Sequence, residues 1–339
     1  MNKKILSLIV IIAAVAATFA WSKQIHKSNP QVLGIQKTQS KLRLGVNTWV
    51  GYGPFWLAQD KGFFKDEGME VEISVIEDSA QRKAAVLNKN IDALGDTVDL
   101  LVLARDQKIP SVAVMQIDIS NGADGILAGP GINTIEDLKG KKIAVQKNFV
   151  SESMLYYLLK EHGMSPKDVQ VIDTEAGAAG AAFVAGQVDV AVTFEPWMSK
   201  AKERSGGKLL ASSKDANSAI ADILTVHEDY LKDNPDAVKK FMRAWFKALD
   251  YYKQNPKEAS ELMGKHYNVS GPEFSELLNG VVWNDYKENA AYFGNEKSPG
   301  KIFNISQTFG QIFLETGQIK SIPNMNGAID GKLINSLYE

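Results

Sequence analysis

From residue 41 onward, short apolar runs alternate with amphipathic stretches. Period-two alternation predicts a strand over 42–46, and apolar residues at helical spacing predict a helix over 55–64 that runs out at Gly68. The same reading places strands at 71–76, 92–95 and 111–116, with helices at 79–87 and 100–105 between them. Strand, helix, strand in steps of about 25 residues is the rhythm of right-handed βαβ units. A second set opens with a strand at 125–128 that enters the turn Gly129-Pro130-Gly131. Strands follow at 142–146, 169–172 and 188–194, with a helix at 151–162 and a small-residue helix at 176–185. A last apolar strand lies at 223–226, and beyond His227 only helices are predicted, at 236–254, 257–267, 271–281 and 302–316.

The order is α/β, then α/β, then α. A tail of helices after the second set completes the first lobe if the chain crosses twice. We therefore expect one lobe from 41–126 and 224–339 and another from 127–223, each a mixed sheet flanked by helices, with hinges near Ile126 and Leu224. A length of 339 residues supports two lobes, because single cores stop growing at about 250 to 300 residues.

Ahead of this body, Met1-Asn2-Lys3-Lys4 and an apolar run over 5–19 have the form of a secretory signal, and small residues at Val15, Ala17, Thr18 and Ala20 suit cleavage. We expect 1–20 to be a signal peptide or an uncleaved anchor, 21–40 a flexible polar lead, and the protein to be periplasmic or extracytoplasmic. With no cysteine after the apolar run, a lipoprotein anchor is excluded. The zero cysteine count also removes disulfides, thiolate metal sites and cysteine nucleophiles. Net charge is −2, and −4 once Lys3 and Lys4 leave with the signal, so nucleic acid is not an expected partner.

Catalytic arrangements are scarce. His26, His162, His227 and His266 lie far apart without zinc-site spacing, and there is no Gly-x-Ser-x-Gly elbow or Walker A loop. Neither catalytic residue, metal nor cofactor is expected. Polar residues at strand ends say more, since ligands of open α/β sheets bind beyond the carboxyl ends of the strands. The loop after 42–46 carries Trp49 and Tyr52, which form either a cleft wall or packing between lobes. Asp96 and Thr97 end the next strand as solute ligands or as a helix cap, and Asp118 ends a third. Ser151 and Ser153 open a helix whose free N–H groups suit an anion or polar head group, or are simply capped. Glu195 and Trp197 suit an amine or guanidine-like group by ion pairing and cation–π contact, although a first-turn carboxylate before a helix fits as well. Asp222 stands at the expected hinge, as a ligand or as a surface carboxylate.

Several segments together resemble periplasmic binding proteins of ABC importers, in the nitrate, sulfonate and taurine group that includes thiamine-precursor binders. They are Gly51-Tyr52-Gly53-Pro54-Phe55-Trp56-Leu57-Ala58, Lys61-Gly62-Phe63-Phe64, Ile91-Asp92-Ala93, Leu138-Lys139-Gly140-Lys141-Lys142, Gly186-Gln187-Val188-Asp189-Val190-Ala191 and Phe194-Glu195-Pro196-Trp197. The resemblance spans about 41–314. It implies a type II two-lobed fold, a monomer that closes on a small solute, and delivery to an ABC permease without a cofactor. It also implies that Trp49, Asp96, Thr97, Ser151, Ser153, Glu195 and Asp222 touch the ligand. The alternatives are an enzyme of the same fold resembling those of pyrimidine synthesis, or a sensing module.

One feature runs against a plain anion. Asp96, Asp118, Glu195 and Asp222 all sit at strand ends, and a buried carboxylate facing an anion costs several kcal/mol. The expected ligand therefore carries a positive or donating nitrogen: an amine-bearing sulfonate such as taurine, a guanidine- or amidine-like compound, or an aminopyrimidine.

Overall fold

The computed structural model describes residues 40–200, 204–217, 219–295 and 297–339. The signal segment 1–20 and the lead up to residue 39 lie outside the described residues. Among those described, no helix is long and apolar enough to cross a membrane.

The strands are β1 (Ser40–Val46), β2 (Met69–Val75), β3 (Ala93–Thr97), β4 (Ser111–Ser120), β5 (Asp124–Ala128), β6 (Lys142–Val145), β7 (Gln170–Asp173), β8 (Val190–Phe194), β9 (Lys208–Ser212), β10 (Ala221–His227) and β11 (Val281–Val282). They form two mixed sheets, ordered β11-β4-β10-β3-β1-β2 and β7-β6-β8-β5-β9. The larger helices are α1 (Gly53–Asp60), α2 (Ser79–Leu87), α3 (Val98–Asp106), α4 (Val150–Glu161), α5 (Ala176–Val184), α6 (Pro235–Gln254), α7 (Pro256–His266), α8 (Gly271–Leu277), α9 (Tyr286–Phe293) and α10 (Lys301–Thr316).

Within each sheet a parallel trio built from βαβ units is joined by an antiparallel strand. In the first, β1 pairs parallel with β2 and β3, and β10 enters antiparallel between β3 and β4. In the second, β6 pairs parallel with β7 and β8, and β5 runs antiparallel between β8 and β9. The inserted strand is in both cases the first one after a crossing. Ile126 thus lies inside β5 of the second sheet and Leu224 inside β10 of the first, while the crossings themselves fall at 121–123 and just ahead of Ala221. Ser213 ties the two crossings together: its hydroxyl accepts from Gly122 N at 2.7 Å and lies 2.7 Å from Ser120 Oγ.

Burial follows from position in these sheets. All seven residues of β10 are buried, as expected of a strand covered on both faces. The long helix α6 starts with Pro235 at its first turn and buries Val238, Phe241, Met242, Trp245 and Leu249 along one stripe. Trp245 packs against Phe55 of α1 at a tilt of 48°, with ring centroids 4.4 Å apart. Each such buried side chain contributes roughly 1.5–3 kcal/mol.

Several predicted elements change at their ends. The helix expected over 55–64 breaks at Gly62, whose φ of +76° ends α1 and starts a separate turn at Phe63–Asp66. The helix expected over 271–281 stops at Leu277, and Val281–Val282 instead pairs with the end of β4. β9, α9 and the helix Glu228–Asp233 were not expected at all. β9 is an edge strand with exposed Lys208 and Leu209, so it shows no clean alternation.

Candidate functional site

Between the two sheets lies a small cavity of about 20 Å³. That is room for about one water molecule, so the walls of the two lobes stand almost in contact and a solute needs them to part. The first sheet and its helices contribute Asn47, Trp49, Tyr52, Arg82, Asp96, Thr97 and Leu100, and the second Asp124, Phe149, Val150 and Phe194. Ile220 and Asp222, at the return crossing, complete the wall. A wider groove lined by Asn295, Asn304, Asn326 and Asn335 lies elsewhere in the first lobe, and none of its charged residues is buried.

The aromatic wall is held by hydrogen bonds behind it. Trp49 donates from Nε1 to Asp118 Oδ2 at 3.0 Å, and Tyr52 donates its hydroxyl to Asp222 Oδ1 at 2.6 Å. Tyr267 donates to Trp49 O at 2.8 Å and Trp283 Nε1 to Gly51 O at 2.9 Å. Trp49 meets Phe194 of the opposite sheet edge-on at 5.9 Å, and Phe149 lies 6.1 Å from Phe194. Gly51 has to lack a side chain, because a Cβ would run into Asp118 Oδ2 and Trp49 Nε1. Gly51→Ala is therefore expected to displace the indole and cost about 1–3 kcal/mol, read as a lower melting temperature with a changed tryptophan emission.

Charge in the cavity is lopsided. Arg82, 3% exposed, is the one basic residue among those lining it. Its guanidinium lies 3.7 Å from Asp96, donates to Gly95 O at 3.3 Å and sits 5.3 Å from the Phe149 ring centroid. Against it stand Asp96, Asp124 and Asp222 on the wall and Asp99 and Asp118 behind. Burial pushes Asp96 up to about 6 despite Arg82, and Asp124 up to about 7. Burial likewise pushes Asp118 up to about 8 and raises Asp222 well above the carboxylate range, the latter also through the charge of Asp118. The Thr97 hydroxyl turns toward Asp99 behind the wall and favours its ionised form, against the burial that raises it.

Of the residues expected from the sequence, Trp49, Tyr52, Asp96, Thr97 and Asp222 line the cavity, and Asp118 stands one hydrogen bond behind Trp49. Ser151 and Ser153 are buried in the first turn of α4 but not on the wall. Glu195 and Trp197 are not on it either. Glu195 accepts from Ser199 N at 2.9 Å and Ser199 Oγ at 2.8 Å, the capping role a strand-end carboxylate before a helix can also play. Trp197 packs beside Gly177 and Gly180 of α5 and carries Lys200 over its ring at 4.7 Å. Sequence reasoning missed Arg82. Its signal was available: Ser79, Arg82 and Val86 form the buried stripe of α2, so a cation occupies a core-facing position.

The profile of the family described as NMT1/THI5 like matches residues 49–259. A Bacillus subtilis protein named for aliphatic-sulfonate binding is 26% identical over 237 residues, 68% of this chain and 70% of that one. A 4-amino-5-hydroxymethyl-2-methylpyrimidine phosphate synthase of Saccharomyces cerevisiae, THI5, is 26% identical over 258 residues, 71% of this chain and 73% of that one. Among solved structures, the alkanesulfonate-binding protein SsuA from Xanthomonas axonopodis pv. citri, bound to MOPS, superimposes with a TM-score of 0.73 at 18% identity, covering 86% of this chain and 98% of that one.

Proposed function

The chain belongs to the NMT1/THI5-like family and has the two-lobed periplasmic binding-protein fold, and from that footing we propose that it is the solute-binding component of an ABC importer. In this reading residues 1–20 direct export, the lobes close on one compact solute, and the closed form docks on a permease. Closure turns about the two crossings tied by Ser213, and the ligand's greater affinity for the closed form drives it. The solute carries a positive or hydrogen-bond-donating nitrogen group. The observation behind that choice is the surplus of buried carboxylates around the cavity over its single guanidinium, which already faces Asp96. The aromatic wall of Trp49, Phe149 and Phe194 suits a flat or cationic group.

Binding rather than catalysis is supported by where the described histidines lie. His162 pairs with Glu136, His266 stacks on Trp56 and pairs with Asp60, and His227 caps a helix, so none is on the cavity wall. A thermal-shift and calorimetric panel of methylguanidinium, 4-amino-5-hydroxymethyl-2-methylpyrimidine, taurine, nitrate and methanesulfonate tests the assignment. Stabilisation by one or more of the first three is expected. Tight binding of nitrate or methanesulfonate with no response to the nitrogen compounds would sink it.

A further inference from the structure

Asp118 and Asp222 face each other across the antiparallel pair of β4 and β10. Direct partners on such a pair have Cβ atoms about 4.5–5.5 Å apart on one face of the sheet. Both strands belong to the same lobe, so the pairing does not depend on how far the cleft has closed. Asp118 is 0% and Asp222 4% exposed. Trp49 and Tyr52 donate to one oxygen of each, Asp118 Oδ1 has no hydrogen-bond partner, and among the described residues no cation pairs with either.

The groups facing the pair do not neutralise it. From β3 comes Asp96, already opposed to Arg82 of α2, and from β5 comes Asp124, with Asp99 and Glu195 near it. Tyr52, Tyr267 and Tyr292 complete the surroundings as phenols whose own ionisation these charges and burial oppose. Two carboxylates this close in a dry site cannot both be ionised.

We propose that the ligand-free protein holds at least one proton on the Asp118–Asp222 pair and that entry of a cationic ligand against Asp222 expels one, so that capture of the solute and release of a proton are one event. The carboxyl O–H bond breaks, the proton goes to water, and the ligand's positive charge takes its place, leaving the charge of the site unchanged. Burial and the mutual repulsion of the two carboxylates, which hold both far above the usual carboxylate range, act in the same direction. The inference rests on the nitrogen-ligand reading above. Linkage gives its sign: affinity rises with pH while the free pair is protonated and the occupied pair is not.

Methylguanidinium is the chosen probe because its charge, like that of an arginine side chain, does not change across the range used. Its binding constant is expected to rise with pH between about 5.5 and 7.5, and Asp118→Asn to reduce the slope by about one tenfold step per pH unit. Calorimetry in two buffers of different ionisation enthalpy should show about one proton fewer released by Asp118→Asn than by the wild type. Carboxyl-carbon NMR of the ligand-free wild type, assigned with Asp118→Asn and Asp222→Asn, should show the pair still titrating above pH 6. Carboxyls that both ionise below pH 5, or a binding slope untouched by Asp118→Asn, overturn proton exchange and leave the solute-binding reading standing. Failure of every nitrogen compound in the panel to bind removes that reading, and proton exchange with it.

Discussion

Raising the pH from about 5.5 to 8.5 is expected to weaken the ligand-free protein by several kcal/mol, measured by urea unfolding at fixed temperature. In the unfolded chain the aspartates ionise near 4, whereas in the fold burial holds Asp124 to about 7 and Asp118 to about 8. A group whose folded pKa is raised binds more proton folded than unfolded throughout that interval. Its stabilisation is fully present below the unfolded value and is lost as pH climbs to the folded one, by up to about 1.4 kcal/mol per pH unit for each group. Against a total of about 5–15 kcal/mol this is large. It is also opposite in sign to the behaviour of salt-bridged carboxylates, which lose stability on acidification. Asp118→Asn, which keeps an acceptor for Trp49 and offers Asp222 an amide, should flatten the dependence and stabilise the protein at pH 8. Stability that rises with pH over this window would contradict the description of these carboxylates as buried and uncompensated.

Removing Arg82 should have an effect of similar size through the opposite defect. Arg82→Leu leaves Asp96 in its buried site without the guanidinium that restrains its proton affinity, and takes a donor from Gly95 O and a cation from the Phe149 face. Breaking a buried pair from one side costs about 3–5 kcal/mol when the other charge stays ionised. The loss should be greatest near pH 8 and shrink below pH 6, where Asp96 takes up a proton. Adding Asp96→Asn to Arg82→Leu should restore much of the stability at pH 8, because the stranded charge is gone. A loss equal at pH 5.5 and 8 and not repaired by Asp96→Asn would mean that the side chain's packing, not its charge, is what matters.

The parts of this molecule that were legible in the sequence are those where one requirement sets the residue. Strands β3, β4, β6 and β8 carry apolar runs because both faces of a sheet between helix layers are dry, and α6 shows its buried stripe over twenty residues. Trp49, Tyr52, Asp96, Thr97 and Asp222 were found at strand ends or the loops after them, where α/β sheets place their ligands. Glu195 shows where that reasoning divides: a carboxylate between a strand and a helix suits a ligand and a cap alike, and only the position of Ser199 decides that it caps. Arg82 was hidden for another reason. A charged residue on a short helix reads as solvent-facing until the stripe it shares with Ser79 and Val86 is recognised as the buried one. Edge strand β9 was illegible because pairing along one side only puts little constraint on its side chains.

The return of β10 to the first sheet bears on the order in which the chain can become structured. Every strand of the second sheet lies between Asp124 and Ser212, so that sheet can be assembled from one uninterrupted stretch. The first sheet cannot: β3 and β4 have no contact as neighbours until β10 arrives between them, more than a hundred residues after β4 begins. Loop closure of that span precedes the reward of its contacts, which slows folding. The lobe that is written first is thus the lobe that is finished last, and the Asp118–Asp222 pair, formed across its late-arriving strand, comes into existence only when the whole architecture is in place.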